Sequence, residues 1–152
     1  MPYRVPKGFS LDWYGREVEK RVAATVARRM ERVMLYLEGV AKKKVSIRNS
    51  PRKRVGRSGM RGLNPSQEGE PPKLVEGTLR ANITHVVVST EDAIIGVLGV
   101  AKGPADDYGR RLELGFKGVD AAGRTVDQGP RPYLRPTITE ERDKIVKGLS
   151  GD

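Results

Sequence analysis

The sequence predicts an α+β fold, a long N-terminal helix packed on a small antiparallel β-sheet with a short middle helix and a C-terminal helix. Three observations carry this expectation. Apolar residues recur every three or four positions from Tyr14 to Val40. Two strand-like runs, Leu79 to Val88 and Ala93 to Val100, flank one polar turn, Ser89 to Asp92. The order helix, hairpin, helix, short strand, helix also lacks the alternating βα units that build a parallel sheet. At 152 residues the chain is expected to form a single domain, 1–152.

Met1 to Phe9 carries two prolines and a glycine and reads as an irregular lead-in. Ser10 is the expected N-cap, with Asp12 in the first turn where the helix dipole favours an anion. Tyr14, Val18, Val22, Val26, Met30, Val33, Leu37 and Val40 then form one stripe, sustained to about Lys44. Glu17 with Arg21 and Glu38 with Lys42 are i,i+4 pairs in the favourable orientation. Intervals mostly of four fit packing on a sheet or bundle better than a strict heptad. A helix of about 35 residues would be roughly 50 Å long, more than a domain this size covers, so one end is expected to reach a neighbour.

Pro65, Pro71 and Pro72 lack amide donors and keep the chain extended up to Leu74. The two strands should pair as an antiparallel hairpin, and Gly96 and Gly99 in the second suggest a bulge or a close backbone approach. Pro104 suits the start of a helix over Ala105 to Leu114, with Asp106 and Asp107 in its first turn and Gly115 as its stop. Gly118 to Gly129 is turn-rich and has room for one short strand near Arg124 to Asp127. The segment Arg131 to Pro136 leads into one last helix with Ile138, Ile145 and Val146 apolar.

Charge is concentrated in one place. Lys42, Lys43, Lys44, Arg48, Arg52, Lys53, Arg54, Arg57 and Arg61 put nine cations and no acid into 20 residues, while the formal charge of the whole chain is +10. So polar and Gly/Pro-rich a stretch is expected to form a flexible basic arm, at about 45–73, that attracts phosphate without reading sequence. It lacks the aromatic platforms and the rigid helix of base recognition. The plainer readings are a solvated linker, and for Lys42 to Lys44 a complement to the helix C-terminus.

Composition narrows the chemistry. With no Cys, disulfides, thiolate metal sites and a cysteine nucleophile are excluded. His85 is the only histidine, in a strand-like run without triad spacing, so a structural role is expected of it. GVLGVAKG at 96–103 lacks the spacing of a phosphate loop. Asp106, Asp107 and Glu113 are better explained as helix charges than as metal ligands. No catalytic residue, cofactor or metal is expected. No run approaches the length of a membrane span and no secretory leader is recognisable, so a soluble chain is the expectation. An apolar share of 37% against 32% charged suggests that stability comes partly from neighbouring subunits.

Three runs, NPSQEGEPPKLVEGTLR from Asn64, YGRRLELGF from Tyr108 and RPYLRPTITEERDKI from Arg131, resemble the neck and tail-completion (head-tail joining) proteins of long-tailed double-stranded DNA phages. That family carries Pro-Ser-x-x-Gly-x-Pro-Pro, Thr-Gly-x-Leu-Arg, Tyr-Ala-x-x-Leu-Glu-x-Gly and Arg-Pro-Phe-Leu-x-Pro-Ala in this order. The likeness covers about the last 90 residues. The chain departs at Glu76 before Gly77, Gly109 for Ala, Tyr133 for Phe and Thr137 for Ala.

The resemblance implies a non-catalytic virion protein, assembled in the host cytoplasm into a homo-oligomeric ring, six subunits favoured. Its partners would be adjacent neck, connector or tail-tube proteins, with genome DNA passing weakly and non-specifically through the lumen. Ring closure needs two different surfaces. The expected ones are the short helix, through Tyr108, Arg111, Leu112 and Glu113, and the Arg131 to Pro136 segment, through Arg131, Tyr133 and Leu134. Glu113 would either pair with an Arg of the next subunit or remain a solvated helix charge. The alternative function is a sequence-independent basic DNA- or RNA-binding protein.

Overall fold

The computed structural model describes residues 14–47, 66–119 and 123–151. In chain order these form α1 (Gly15–Lys44), α2 (Thr78–Asn82), β1 (Ile83–Ser89), β2 (Ile94–Val100), α3 (Pro104–Leu114), β3 (Phe116–Val119), β4 (Thr125–Gln128), α4 (Leu134–Glu140) and α5 (Arg142–Ser150). The architecture is α+β: α1 lies across one face of the antiparallel β1–β2 hairpin, and α4 and α5 pack along α1. Ser10, the expected N-cap, lies outside the described residues.

The hairpin register sets which side chains meet the helix. Ile83 pairs with Val100, His85 with Leu98 and Val87 with Gly96, and these positions face α1. Gly96 is a close approach rather than a bulge. A Cβ there would sit 2.5 Å from Met34 Sδ and 2.9 Å from Met30 Sδ, so only glycine lets the strand come this near the helix. The turn closes through Thr90, whose N–H donates to the Ala93 carbonyl at 2.8 Å.

The apolar stripe of α1 is half core and half surface. Val33, Met34, Leu37 and Ala41 are buried, with Val45 just beyond the helix, whereas Tyr14, Val18 and Val22 are exposed and Val26 is only half-buried. The reason is length. A seven-residue strand extends about 23 Å and a 30-residue helix about 45 Å, so the hairpin covers the C-terminal half alone. Met34 and Ala41 join the core because a sheet buries a wider arc than a single stripe. Of the two expected ion pairs, Glu38 and Lys42 meet at 2.5 Å; Glu17 and Arg21, on the uncovered half, do not.

Other expectations shift at their edges. Leu79 and Ala81 belong to the short helix α2 rather than to a strand, because Gly77 in the left-handed region (φ 85°) turns the chain and its carbonyl accepts from the Ala81 N–H. The turn-rich stretch holds two strands, β3 and β4, paired from Phe116–Gln128 to Val119–Thr125. The terminal helix breaks at Glu141, whose carboxylate is held by the Tyr36 hydroxyl at 2.7 Å and by Lys144 at 2.8 Å.

The described ends of the stretch expected as an arm at 45–73 belong to the domain. Val45 and Ser66 are buried, the Leu74 N–H donates to the Ile47 carbonyl at 2.7 Å, and the Gly69 N–H donates to the Pro130 carbonyl at 2.8 Å. Both flanks are therefore fixed to the domain. Arg48, Arg52, Lys53, Arg54, Arg57 and Arg61 lie outside the described residues.

Candidate functional site

The segments that carry the family resemblance converge in space. Leu79, Leu112 and Tyr133, one from each run, are buried together with Ala41, Val45 and Ile83 in a single cluster. Around it the segments are tied by main-chain and side-chain bonds. The Arg131 N–H donates to the Leu112 carbonyl at 2.6 Å, and Arg131 Nε donates to the Ser66 carbonyl at 3.0 Å.

Glu113 is the central polar contact of this junction. Its Oε2 accepts the N–H groups of Tyr133 at 2.7 Å and Leu134 at 3.0 Å, and its Oε1 accepts that of Arg135 at 2.9 Å. A helix start leaves these donors without intrahelical partners, and a carboxylate satisfies them with charge of the right sign. Within the subunit Glu113 is thus not a free surface charge; it caps α4 of its own chain.

Tyr133 is fully buried, and its hydroxyl has no hydrogen-bond partner among the described residues. Burial, with the nearby carboxylate of Glu113 adding to it, pushes the phenol well above its usual pKa, so it stays neutral. The hydroxyl sits against Gly109: a Cβ on Gly109 would lie 2.9 Å from Tyr133 Oη. Two of the departures from the family pattern, Gly for Ala and Tyr for Phe, therefore touch each other. The oxygen, with Val100 Cγ2 at 3.0 Å and Leu79 Cδ1 at 3.1 Å, occupies the space that the methyl group would need.

This geometry corrects the expected subunit interface. Leu112 is 2% and Tyr133 0% exposed, so both are core residues of the subunit, and the two segments expected on opposite sides pack against each other. Leu134 is half-buried beside the same cluster, and Arg131 is tethered to Ser66. Arg111 is exposed with its guanidinium 4.3 Å from the Phe116 ring centre, and Tyr108 is exposed at the edge of a hollow of about 370 Å³ between the 72–80 segment and α3. Of the seven, Tyr108 and Arg111 are exposed, and Glu113, Arg131 and Leu134 are half-buried. Of the three lysines closing α1, Lys42 is bound to Glu38 and Lys44 to Glu140, both at 2.5 Å, which leaves Lys43 exposed.

His85 has a structural position. Its Nδ1 lies 2.6 Å from Glu38 and its Nε2 3.1 Å from Glu31, so the ring bridges two carboxylates one helical face of α1 presents to the sheet. Among the described residues no group of His, Asp and Glu side chains is arranged to hold a metal, and no helix is long and apolar enough to cross a membrane.

Apolar surface is left on two separate faces. The outer side of the hairpin carries the cross-strand pairs Val86–Val97 and Val88–Ile95, all exposed. The uncovered half of α1 carries Tyr14, Val18 and Val22. Alternation and helical spacing report amphipathic elements without telling which apolar face a subunit covers itself. No family model, no curated protein and no solved structure matches the chain.

Proposed function

We propose that the protein is a structural virion subunit of the phage head-tail joint, acting in a closed ring around the DNA path and carrying out no catalysis. The observation that carries this reading is the pair of exposed apolar faces on one small subunit. Four β-branched residues on the outer hairpin face, and three apolar residues on a helix end beyond the sheet, are different surfaces in different places. Contiguous exposed apolar surface of this kind marks an interaction site. Unlike surfaces that meet head to tail generate rings when the rotation closes.

The resemblance supplies the biological setting, and the junction described above supports it physically. Its runs do not form a catalytic constellation; they build the capped, buried joint that fixes α3 against α4. A ring of six, positioned between neck, connector or tail-tube proteins, follows from the family likeness.

Native mass spectrometry of the full chain tests the reading. A closed oligomer, six-fold favoured, is expected, and Val86→Lys with Val97→Lys should yield monomers whose helix content is unchanged. A parent chain that is monomeric both in solution and in assembled particles overturns it.

A further inference from the structure

A second basic surface lies outside the 42–61 segment. Arg28, Arg29 and Arg32 on α1 face Lys144 and Lys147 on α5 across an open groove, and no carboxylate lines it. The groove exists because α5 comes close to α1. Gly148 lies over Val33, where a Cβ would meet Val33 Cγ2 at 2.7 Å, and a Cβ on Gly151 (φ 88°) would collide with the Arg29 guanidinium. Arg29 closes the end by donating to the carbonyls of Leu149 at 3.0 Å and Ser150 at 2.8 Å, the unsatisfied acceptors at the C-terminus of α5.

The five cations divide by occupation. Arg29 is committed to those carbonyls, and Lys144 to Glu141 and the Tyr36 hydroxyl. Among the described residues Arg28 bonds only within its own helix turn, to the Ala24 carbonyl and Thr25. Arg32 and Lys147 are exposed, and their side chains have no hydrogen-bond or ion-pair partner among the described residues. Asp143 lines a neighbouring hollow on the far side of Lys147, beside Arg142, and so leaves the groove itself positive.

We infer that this groove binds the phosphodiester backbone of duplex DNA, with Arg28, Arg32 and Lys147 as the contacting groups. Arginine forks match phosphate oxygens, and a rigid pair of helices holds three donors that are tied to no other element on one surface without the ordering cost of a loop. The lining runs from Thr25 to Tyr36, about 16 Å of helix axis, enough to meet several phosphates of a duplex that carries one charge per about 1.7 Å. Base stacking is not offered. Tyr36, the one aromatic residue in the lining, has its hydroxyl bonded to Glu141 and Lys144 and the Lys144 ammonium 5.6 Å from its ring centre. Binding is therefore expected to be indifferent to sequence. The inference stands on this geometry and does not depend on ring closure, which the mass measurement tests separately.

The test is fluorescence anisotropy of the full chain with two unrelated 24-base-pair duplexes over a salt series. Three proteins are compared: the parent; Arg28→Gln, Arg32→Gln and Lys147→Gln combined; and Arg52→Gln, Lys53→Gln, Arg54→Gln and Arg57→Gln combined. The first triple variant should lose about tenfold or more in affinity at 100 mM salt, and the slope of log K against log salt should shrink by about 2–3, with both duplexes affected alike. The second variant should keep the groove's share of the slope. Melting followed by circular dichroism should match the parent, since the three groups hold no other element. Unchanged affinity and slope in the groove variant, with the melt intact, overturn the assignment. Equal competition by poly-glutamate at matched charge also overturns it, in favour of an acidic protein surface.

Discussion

The carboxylate of Glu113, near the end of α3, accepts the backbone N–H of Tyr133 at 2.7 Å and so fixes the start of α4 from 20 residues away. The same carboxylate also takes the N–H groups of Leu134 and Arg135. Bonds to a charged acceptor contribute about 1.5–3 kcal/mol each in favourable settings, and a lost helix cap costs about 1 kcal/mol. Glu113→Ala should destabilise the fold by about 2–4 kcal/mol, and Glu113→Gln, which keeps one acceptor oxygen, by roughly half as much. Chemical denaturation of the three proteins checks this. An unchanged midpoint for Glu113→Ala would show that α4 starts without the cap.

The Gly109–Tyr133 contact makes a coupled prediction. Tyr133→Phe removes a buried hydroxyl without a partner and should be neutral or stabilising by about 1 kcal/mol. Gly109→Ala alone gains helix propensity of about 1 kcal/mol but forces a methyl group to 2.9 Å from the hydroxyl, in overpacking that costs about 1–3 kcal/mol. With both substitutions the contact with the hydroxyl is gone, while Val100 Cγ2 at 3.0 Å and Leu79 Cδ1 at 3.1 Å still crowd the added methyl group, so Gly109→Ala should cost less in the Tyr133→Phe background than in the parent. A double-mutant cycle with a coupling energy under about 0.5 kcal/mol would falsify the compensation.

How much of this was legible in the sequence follows from the range over which each signal acts. The hairpin and α3 could be read because alternation, Pro104 and Gly115 act within a few residues. The role of Glu113 could not, since its partners are amides of residues 133–135 and backbone donors leave no mark in a sequence. The basic groove was half legible. Arg21, Thr25, Arg28 and Arg32 share one helical face, but nothing local brings Lys144 and Lys147 opposite them. The stripe of α1 was legible as amphipathic, and its length already implied that one end lies beyond the domain, but periodicity alone did not show that Val18 and Val22 belong to the uncovered end.

That distinction can be measured on α1. Leu37 is 3% exposed within the core, and Leu37→Ala should cost about 2–5 kcal/mol. Val18→Asp, at a position 56% exposed, should change the stability of a monomer by less than about 0.5 kcal/mol while weakening self-association. Denaturation at low protein concentration and sedimentation at high concentration separate the two effects. A large loss of monomer stability in Val18→Asp would mean that the N-terminal half of the helix is covered within the subunit.

His85 gives the fold a pH dependence with a definite sign. Burial pulls the ring pKa down, but the bonds to Glu38 and Glu31 outweigh it, and the folded value is raised above the ordinary value of 6.5. The charged ring faces Glu31 and Glu38 of α1, with Lys42 behind Glu38, and Leu98 across the strand pair. Its contribution to stability is therefore fully present below the unfolded value and is lost as pH rises through the folded value. Glu38 acts in the opposite sense. Its bond to Lys42, with that to His85 adding to it, outweighs burial and holds the carboxyl below its ordinary value of 4.5, so its share is present above that value and lost as pH falls through the folded one. Between these limits both contribute. Parent melting temperature should thus fall as pH rises from 6 through the folded value of His85. His85→Gln should be less stable than the parent at pH 6 and should lack that fall. A variant whose profile parallels the parent's across this range would remove His85 from the account.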